Sequence, residues 1–105
     1  MQYRVDVSSQ AAADLRNLFR YISDALRAPE NAYTQLARIR KQILSLAELP
    51  MRFCAYPKHF AGYPQVRIMP VDHFEVFYTV DTAQEKVTIL RVIYGGRDID
   101  RAFMP

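Results

Sequence analysis

The sequence predicts a small α+β domain in which two helices cover one face of a small sheet. Three observations lead to this fold class. The chain has 105 residues, which suits a single domain spanning residues 1–105. Its first half contains two segments with apolar residues at helical spacing, and its second half changes to alternation with period two. Because a helix must bury its apolar stripe, we expect both helices to pack against the sheet.

The N-terminal segment "YRVDV" alternates between apolar and polar residues and predicts a short first strand over residues 3–7. Ser8 follows as a candidate N-cap, since its hydroxyl can accept a hydrogen bond from a free backbone N–H. The next segment predicts a helix over about residues 9–26. Its apolar stripe consists of Ala11, Leu15, Leu18, Phe19, Ile22 and Leu26.

A second helix is predicted after the break "RAPEN". Pro29 cannot continue the first helix but suits the first turn of a new one, and Glu30 is favourable near its positive end. The second helix should reach about Leu49 and stop at Pro50. Its apolar stripe consists of Ala32, Leu36, Ile39, Ile43 and Leu46.

The C-terminal half predicts a loop followed by a three-stranded antiparallel meander. Residues 51–64 have no clean period and contain two prolines and a glycine. The strands are "QVRIMPV", "FEVFYTVD" and "KVTILRVIY", and the short polar link 82–85 joins the last two as a hairpin. These two are apolar at nearly every position, which indicates a central location covered on both faces. The first strand should pair beside one of the three.

Composition excludes several functional classes. No apolar run is long enough to cross a membrane, and we expect no signal peptide and no membrane partner. Cys54 is the single cysteine, so a reducing, cytoplasmic setting is expected, with Cys54 as a small, partly buried apolar residue. Neither a P-loop nor a dinucleotide fingerprint occurs, and His59 and His73 lack a third ligand at metal spacing. We therefore expect no cofactor and no metal.

The positive charge is concentrated in one part of the chain. The formal net charge is +3, and eleven of the fourteen cations are arginine, the cation best suited to phosphate or carboxylate. Residues 49–71 contain no Asp or Glu but hold four basic side chains, Arg52, Lys58, His59 and Arg67, interleaved with aromatic rings. This pattern suits a nucleic-acid strand or an acidic protein partner. In the alternative interpretation it is a basic loop whose rings enter the core.

The segment "RVIYGGRD" ends the last predicted strand with a second candidate site. Gly95 and Gly96 allow backbone angles that other residues resist, so the chain can leave the sheet there. Tyr94 and Arg97 would then be aimed at a polyanionic target or an acidic partner. The alternative is a structural turn in which Asp98 holds Arg97 by a charge-assisted hydrogen bond.

The sequence resembles the RelE/ParE superfamily of toxins from type II toxin–antitoxin systems, and is most similar to its ParE side. The resemblance extends from residue 3 to about residue 103 and is most specific in "VFYTVD" and "ILRVIYGGRD". It implies a helical hairpin on a small, mainly antiparallel sheet and a cognate antitoxin that forms a hetero-oligomer with the toxin. It also implies one of two activities, which are inhibition of DNA gyrase and metal-free cleavage of mRNA on the ribosome.

The residues implied by the nuclease activity match only in part. Arg97 matches an arginine of RelE-like members at the end of the last strand, and Arg67 can stand in for basic residues on the strand after the loop. Glu75 occupies the place of another arginine, and a carboxylate there would repel a phosphate. His73 is a candidate base. Phe103, at the place of the C-terminal aromatic or basic residue, cannot transfer a proton.

Three hypotheses follow from this comparison. In the preferred one the chain is a non-catalytic toxin that inhibits DNA gyrase. In the second it is a ribosome-dependent mRNA endonuclease with the catalytic candidates Arg67, Arg97, His73 and Glu75. In the third it is a degenerate member that only binds its antitoxin. The candidate residues for binding a target or antitoxin are Arg52, Lys58, His59, Arg67, Tyr94 and Arg97.

Overall fold

A computed structural model describes residues 2–55 and 65–95 of the chain. The described helices are α1 (Ser9–Arg20), followed directly by a π-helical turn (Tyr21–Ala25), and α2 (Pro29–Ser45), with a 3-10 turn at Pro50–Arg52. The described strands are β1 (Arg4–Val7), β2 (Arg67–Val71), β3 (Phe74–Asp81) and β4 (Lys86–Tyr94). The predicted order of one strand, two helices and three strands is confirmed.

The four strands form one sheet in the order β1-β4-β3-β2. β2, β3 and β4 make the predicted antiparallel meander, and β1 pairs with β4 in parallel. The register between β3 and β4 shifts between Phe77 and Tyr78, where Phe77 faces Arg91 and Tyr78 faces Ile89. Leu90 is therefore the extra residue of a β-bulge. Both meander strands predicted to be central are central.

The start of α1 is fixed by Ser8, as predicted. The Ser8 hydroxyl accepts a hydrogen bond from the backbone N–H of Ala11 at 3.0 Å and donates one to the carbonyl of Leu90 at 3.0 Å. The Ser8 backbone N–H donates to the carbonyl of Ile89 at 2.9 Å. The same residue thus ends the strand pairing of β1 and caps the helix that follows.

α2 begins at Pro29 as predicted, but the predicted end near Leu49 is wrong. The α-helix ends at Ser45, and Leu49 has a left-handed backbone with φ of 49°. A left-handed residue cannot continue a right-handed helix, so the chain turns before Pro50. Leu46, the last residue of the predicted stripe, is still fully buried.

The main core lies between the helices and one face of the sheet. Its fully buried members include Ala11 and Ile39 from the helices and Val76, Tyr78 and Ile89 from the sheet. Phe77 and Ile93 alternate to the opposite face and are also buried. The two central strands are therefore covered on both faces, as their apolar composition predicted.

The prediction for Cys54 is wrong, because its side chain is exposed. Its carbonyl accepts a hydrogen bond from the N–H of Ile68 at 3.2 Å, and Ala55 forms a bridge with Arg67. Residues 54 and 55 thus lie along the outer edge of β2, where a side chain faces solvent. In the part of the chain that the structure describes, no helix is long and apolar enough to cross a membrane.

Candidate functional site

The structure describes five of the candidate site residues and places them in two separate groups. Arg52 and Arg67 lie together beside the end of α2, whereas His73, Glu75 and Tyr94 lie at the end of the sheet where β3 begins and β4 ends. Three further candidates, Lys58, His59 and Arg97, lie outside the described residues, as do Gly96, Asp98 and Phe103.

Arg52 closes the C-terminal end of α2. One guanidinium nitrogen donates to the carbonyl of Glu48 at 2.6 Å and more weakly to that of Leu49 at 3.2 Å. The other nitrogen donates to the Ser45 hydroxyl at 2.7 Å. Glu48 and Leu49 belong to the turn after α2, and the guanidinium also donates weakly to the last carbonyl of the helix, that of Ser45, at 3.3 Å. A cation at this end interacts favourably with the helix dipole. The guanidinium also lies 4.9 Å from the ring centre of Phe53, within cation–π range.

Arg67 is held by backbone carbonyls of the segment that follows α2. Its guanidinium donates to the carbonyl of Phe53 at 2.6 Å and, weakly, to that of Met51 at 3.4 Å. Arg67 is half-buried at the start of β2. Neither Arg52 nor Arg67 forms an ion pair with an acid in the described part of the chain. Both positive charges are therefore fixed in place, with no acidic partner among the described residues.

Tyr78 connects the core to the segment that holds these two arginines, and the sequence analysis did not predict this contact. The ring is fully buried, and its hydroxyl donates to the carbonyl of Pro50 at 2.6 Å. Burial raises the pKa of Tyr78, while the charges of Arg67 and Arg52 act in the opposite direction. The pattern of β3 predicted a buried position, and a buried tyrosine hydroxyl needs a hydrogen-bond partner. That partner could not be named from the sequence.

The second group is organised by a close approach of two backbones. The N–H of Gly95 donates to the carbonyl of His73 at 2.7 Å. A Cβ atom at position 95 would lie 3.1 Å from that carbonyl oxygen, closer than most such contacts. The backbone of Gly95 is not in the left-handed region, so the predicted need for special backbone angles is wrong at this position. The lack of space for a Cβ atom explains the glycine instead.

Aromatic rings line this end of the sheet. Tyr94 is 52% exposed, and its ring centre lies 5.4 Å from that of Phe74 in an edge-on arrangement. The His73 ring is exposed and its centre lies 6.4 Å from that of Tyr94. Tyr94 is thus exposed to solvent while its ring packs against Phe74, and its role as a contact residue stays a prediction.

Arg67 and Glu75 point to opposite faces of the sheet. Arg67 pairs with Tyr78 in the row of residues that faces the helices, whereas Glu75 pairs with Ile93 and Pro70 in the opposite row. In addition, Tyr78, the partner of Arg67, and Glu75 are three residues apart on β3, which is roughly 10 Å along the strand. These two nuclease candidates therefore cannot contact one phosphate group.

A clamp that the sequence interpretation missed positions the turn that carries His73. The Asp72 carboxylate accepts hydrogen bonds from both Nε and Nη2 of Arg38, at 2.9 and 2.8 Å, and from the amide of Gln35 at 2.9 Å. The Gln35 and Arg38 hydrogen bonds lower the pKa of Asp72. Asp72 has a φ of 55°, a conformation that Asp tolerates better than most residues. The clamp fastens the β2–β3 turn to α2.

Comparison with solved structures identifies the class of fold. A chain of the chromosomal ParDE toxin–antitoxin system from P. aeruginosa superimposes with a TM-score of 0.71 at 22% identity, covering 89% of this chain and 96% of that one. A chain of the RelBE2 toxin–antitoxin complex from Mycobacterium tuberculosis gives 0.64 at 21% identity, with 90% and 99% covered. A mutant of the E. coli toxin RelE in the free state gives 0.66 at 15% identity, with 98% and 94% covered.

The chain thus has the fold of RelE- and ParE-like toxin–antitoxin proteins. The family model for the ParE toxin of type II toxin–antitoxin systems, parDE, matches residues 5–99. The chain belongs to this family, which confirms the resemblance drawn from its motifs. A search of curated proteins finds no significant match to this chain.

Proposed function

We propose that this toxin stops bacterial growth by binding DNA gyrase without catalysing a reaction, and that a cognate antitoxin neutralises it. The observation that carries the non-catalytic part is the placement of Arg67 and Glu75 on opposite faces of the sheet. Membership in the ParE family supports gyrase as the target.

The chemistry of RNA cleavage explains why this placement matters. A metal-free nuclease needs a base for the 2′-hydroxyl, a cation on the phosphate and an acid for the leaving group within reach of one substrate. Arg67 donates to the Phe53 carbonyl, and the phenol of Tyr78 beside it is buried and already donates to Pro50. Among the described residues, the His73 and Glu75 side chains lie elsewhere on the sheet, so no such set surrounds Arg67.

A binding role suits the same two arginines better. Side chains that are already held in one conformation lose little conformational entropy when a partner binds. Arg52 and Arg67 are fixed by carbonyls and keep their charge, and exposed Tyr94 adds an aromatic contact at the end of the sheet. Arginine and tyrosine are both enriched among residues that dominate interface energies. Lys58 and His59, close to Arg52 in the sequence, and Arg97, close to Tyr94 in the sequence, are further candidates for the same binding role.

One observation favours the second candidate function, a ribosome-dependent mRNA endonuclease. His73 and Tyr94 converge at the end of the sheet, two and three residues of chain from Glu75 and Arg97 respectively. A nuclease site there would use Arg97 as its cation and His73 as its base, without Arg67. A degenerate toxin that only binds its antitoxin is the third possibility.

Induction of the chain in bacteria distinguishes the three functions when DNA supercoiling and transcript ends are followed in the same culture. We expect growth arrest with loss of supercoiling, DNA breaks and intact messages. Cuts in phase with codons in translated mRNA would instead establish the endonuclease. Growth without arrest, combined with tight antitoxin binding, would establish the degenerate member.

Two variants, Arg97→Ala and His73→Gln, test the absence of catalysis directly. A binding toxin should keep most of its activity in each, because a single peripheral contact rarely dominates an interface. Tyr94→Ala should weaken gyrase binding by about tenfold. The control Tyr21→Ala removes a similarly exposed ring from the helical hairpin and should leave gyrase binding unchanged. Complete loss of toxicity in both Arg97→Ala and His73→Gln, with folding intact, would contradict the proposal.

A further inference from the structure

The turn after α2 exposes an apolar side chain from a strained backbone position. Leu49 has a φ of 49°, in the left-handed region, and its side chain is 77% exposed. No other large apolar side chain in the described part of the chain is as exposed. The left-handed conformation brings the Cβ atom of an L-residue too close to the following carbonyl oxygen, and contact of a leucine side chain with water is also unfavourable. Leu49 is therefore unfavourable for the free chain in two ways.

The other left-handed residues show how unusual Leu49 is. Among the described residues other than glycine, Arg27, Asp72 and Glu85 also have a positive φ. All three carry polar side chains, and Asp72 is held by two side chains of α2. Leu49 is apolar and lies outside the buried core. Local strain of this kind is concentrated at functional sites, so Leu49 is a candidate contact residue.

Hydrogen bonds hold the strained turn in one conformation. The Pro50 carbonyl accepts the 2.6 Å hydrogen bond from the buried hydroxyl of Tyr78, and the Leu49 carbonyl accepts one from the backbone N–H of Arg52 at 3.2 Å. Pro50 is buried, whereas the residues on either side of it lie at the surface. Met51, the second of these, is 47% exposed. A turn that is already fixed loses little conformational entropy when a partner binds.

This turn adjoins the two arginines of the candidate binding surface. Besides its bond to Glu48, the Arg52 guanidinium donates to the Leu49 carbonyl at 3.2 Å, and that of Arg67 donates weakly to the Met51 carbonyl at 3.4 Å. Neither arginine forms an ion pair with an acid in the described part of the chain, and the exposed carboxylate of Glu48 is no exception. Two exposed apolar side chains therefore lie beside two fixed positive charges.

We propose that Leu49 and Met51 anchor the toxin on its target by entering an apolar pocket of gyrase whose edge carries carboxylates. The inference rests on the proposed function and names the contact that it requires. Burial of the two side chains would remove the unfavourable contact of Leu49 with water, and the carboxylates would meet Arg52 and Arg67. A few apolar anchors surrounded by polar contacts supply most of the binding energy of many interfaces.

The chemistry of the turn favours this partner over two others. A second copy of the chain would bring Arg52 and Arg67 of both copies into one interface, and like charges in contact are unfavourable. A nucleic-acid strand would meet the arginines, but its phosphates and sugars offer no apolar pocket to Leu49. A protein surface with an acidic edge satisfies both the apolar and the charged side chains.

Leu49→Gly separates a binding role from a structural one. Glycine adopts the left-handed backbone without strain, so the urea midpoint of the variant should not fall below that of wild type. Loss of the anchor should weaken binding of the purified chain to purified gyrase by at least about tenfold in surface plasmon resonance. Leu49→Met keeps a large apolar side chain and should retain most of the affinity.

Arg27→Gly is the matched control, because Arg27 is also exposed and left-handed, with a φ of 51°. It precedes α2 whereas Leu49 follows it, and the length of the helix separates them by roughly 25 Å. The same change of backbone freedom at this position should leave gyrase binding unchanged.

The outcomes distinguish this inference from the proposed function. Absence of gyrase binding by wild type would overturn both. Wild-type binding that Leu49→Gly retains would overturn the inference alone, and so would a lower urea midpoint of Leu49→Gly, since Leu49 would then support the fold. If Leu49→Gly loses affinity for the antitoxin but not for gyrase, the turn binds the antitoxin and the inference is again overturned.

Discussion

The phenol of Tyr78 is buried beneath two arginines, and its hydroxyl is satisfied by one backbone carbonyl. The Pro50 carbonyl that accepts this hydrogen bond belongs to the turn from which Arg52 and Phe53 follow. Tyr78 therefore connects the central strand β3 to the segment that positions both Arg52 and Arg67. A single buried polar atom can in this way support a charged surface.

Alkaline pH should destabilise the chain through Tyr78. Because burial raises the pKa of Tyr78 above its ordinary value of 10.0, the stability that this group contributes is complete below that value. It is lost as the pH rises through the folded pKa, since the unfolded chain ionises first. We expect the midpoint of urea unfolding to fall as the pH is raised from about 8 to about 11, the range around the ordinary tyrosine pKa.

Tyr78→Phe isolates this effect. The variant should lose about 1 kcal/mol of stability at neutral pH, because the Pro50 carbonyl loses its partner, and should show a weaker alkaline decline. Tyr33→Phe is the matched control, since that hydroxyl is exposed and makes no hydrogen bond within the described structure. If the urea midpoints of wild type and Tyr78→Phe fall equally as the pH is raised, this prediction is contradicted.

α1 takes the place of a strand along part of β4. β1 pairs only with the first half of β4, as far as Ile89, and no other described strand lies along the second half of that edge. Asp14 of α1 covers it by accepting a hydrogen bond from the Val92 N–H at 3.0 Å while forming a two-point ion pair with Arg91 at 2.8 and 3.0 Å. The hydrogen bonds that Arg91 donates to Asp14 raise the pKa of Arg91, whereas burial acts in the opposite direction. An otherwise open sheet edge is thereby closed by a side chain.

Asp14→Ala should lower the free energy of unfolding by about 2 kcal/mol, because it removes a charge-assisted hydrogen bond to Val92 and leaves Arg91 without this acid. Urea denaturation followed by circular dichroism measures the change. Asp24→Ala removes an exposed carboxylate farther along the same helical segment and should change stability by less than about 0.5 kcal/mol. Equal losses in the two variants would show that Asp14 does not support the edge.

At the scale of the whole molecule, the Asp72 clamp joins the helical layer to the end of the sheet that carries His73 and Tyr94. The clamp residues are far apart in the sequence, since Asp72 follows β2 while Gln35 and Arg38 lie on α2. Because the carboxylate binds both side chains, the layers are tied together near a candidate contact surface. Loss of the clamp should loosen that surface as well as the fold.

Acid should release this clamp. The hydrogen bonds from Gln35 and Arg38 depress the pKa of Asp72, so the stability that it contributes is present above the ordinary value of 3.8 and is lost as the pH falls through the lower folded pKa. Asp72→Asn keeps a residue that tolerates the left-handed backbone but removes the charge. We expect its urea midpoint to decline less than that of wild type between about pH 5 and pH 2, on either side of the ordinary aspartate pKa. If the urea midpoints of the two proteins fall equally as the pH is lowered, the clamp is excluded as the cause of the acid destabilisation.

The amino-acid sequence by itself determined the local elements. The bounds of β3 and β4 follow from alternation, the start of α1 from Ser8 and the start of α2 from Pro29, because each depends on residues adjacent in the chain. The toxin family could also be recognised from the sequence, because its most specific motifs lie in the two central strands. The end of α2 at Ser45 was missed because the apolar stripe continues to Leu46, and the pattern of apolar residues does not reveal the left-handed backbone of Leu49.

Only the tertiary structure decided which side chains meet. Alternation along β3 predicted that Glu75 and Val76 point to opposite faces of the sheet. The register of β2 against β3 was needed to place Arg67 on the face opposite to Glu75. The contacts of Asp14 with β4, of Asp72 with α2 and of Tyr78 with Pro50 each join residues at least 28 positions apart. Sequence periodicity describes one element at a time, whereas these contacts depend on how the elements are packed together.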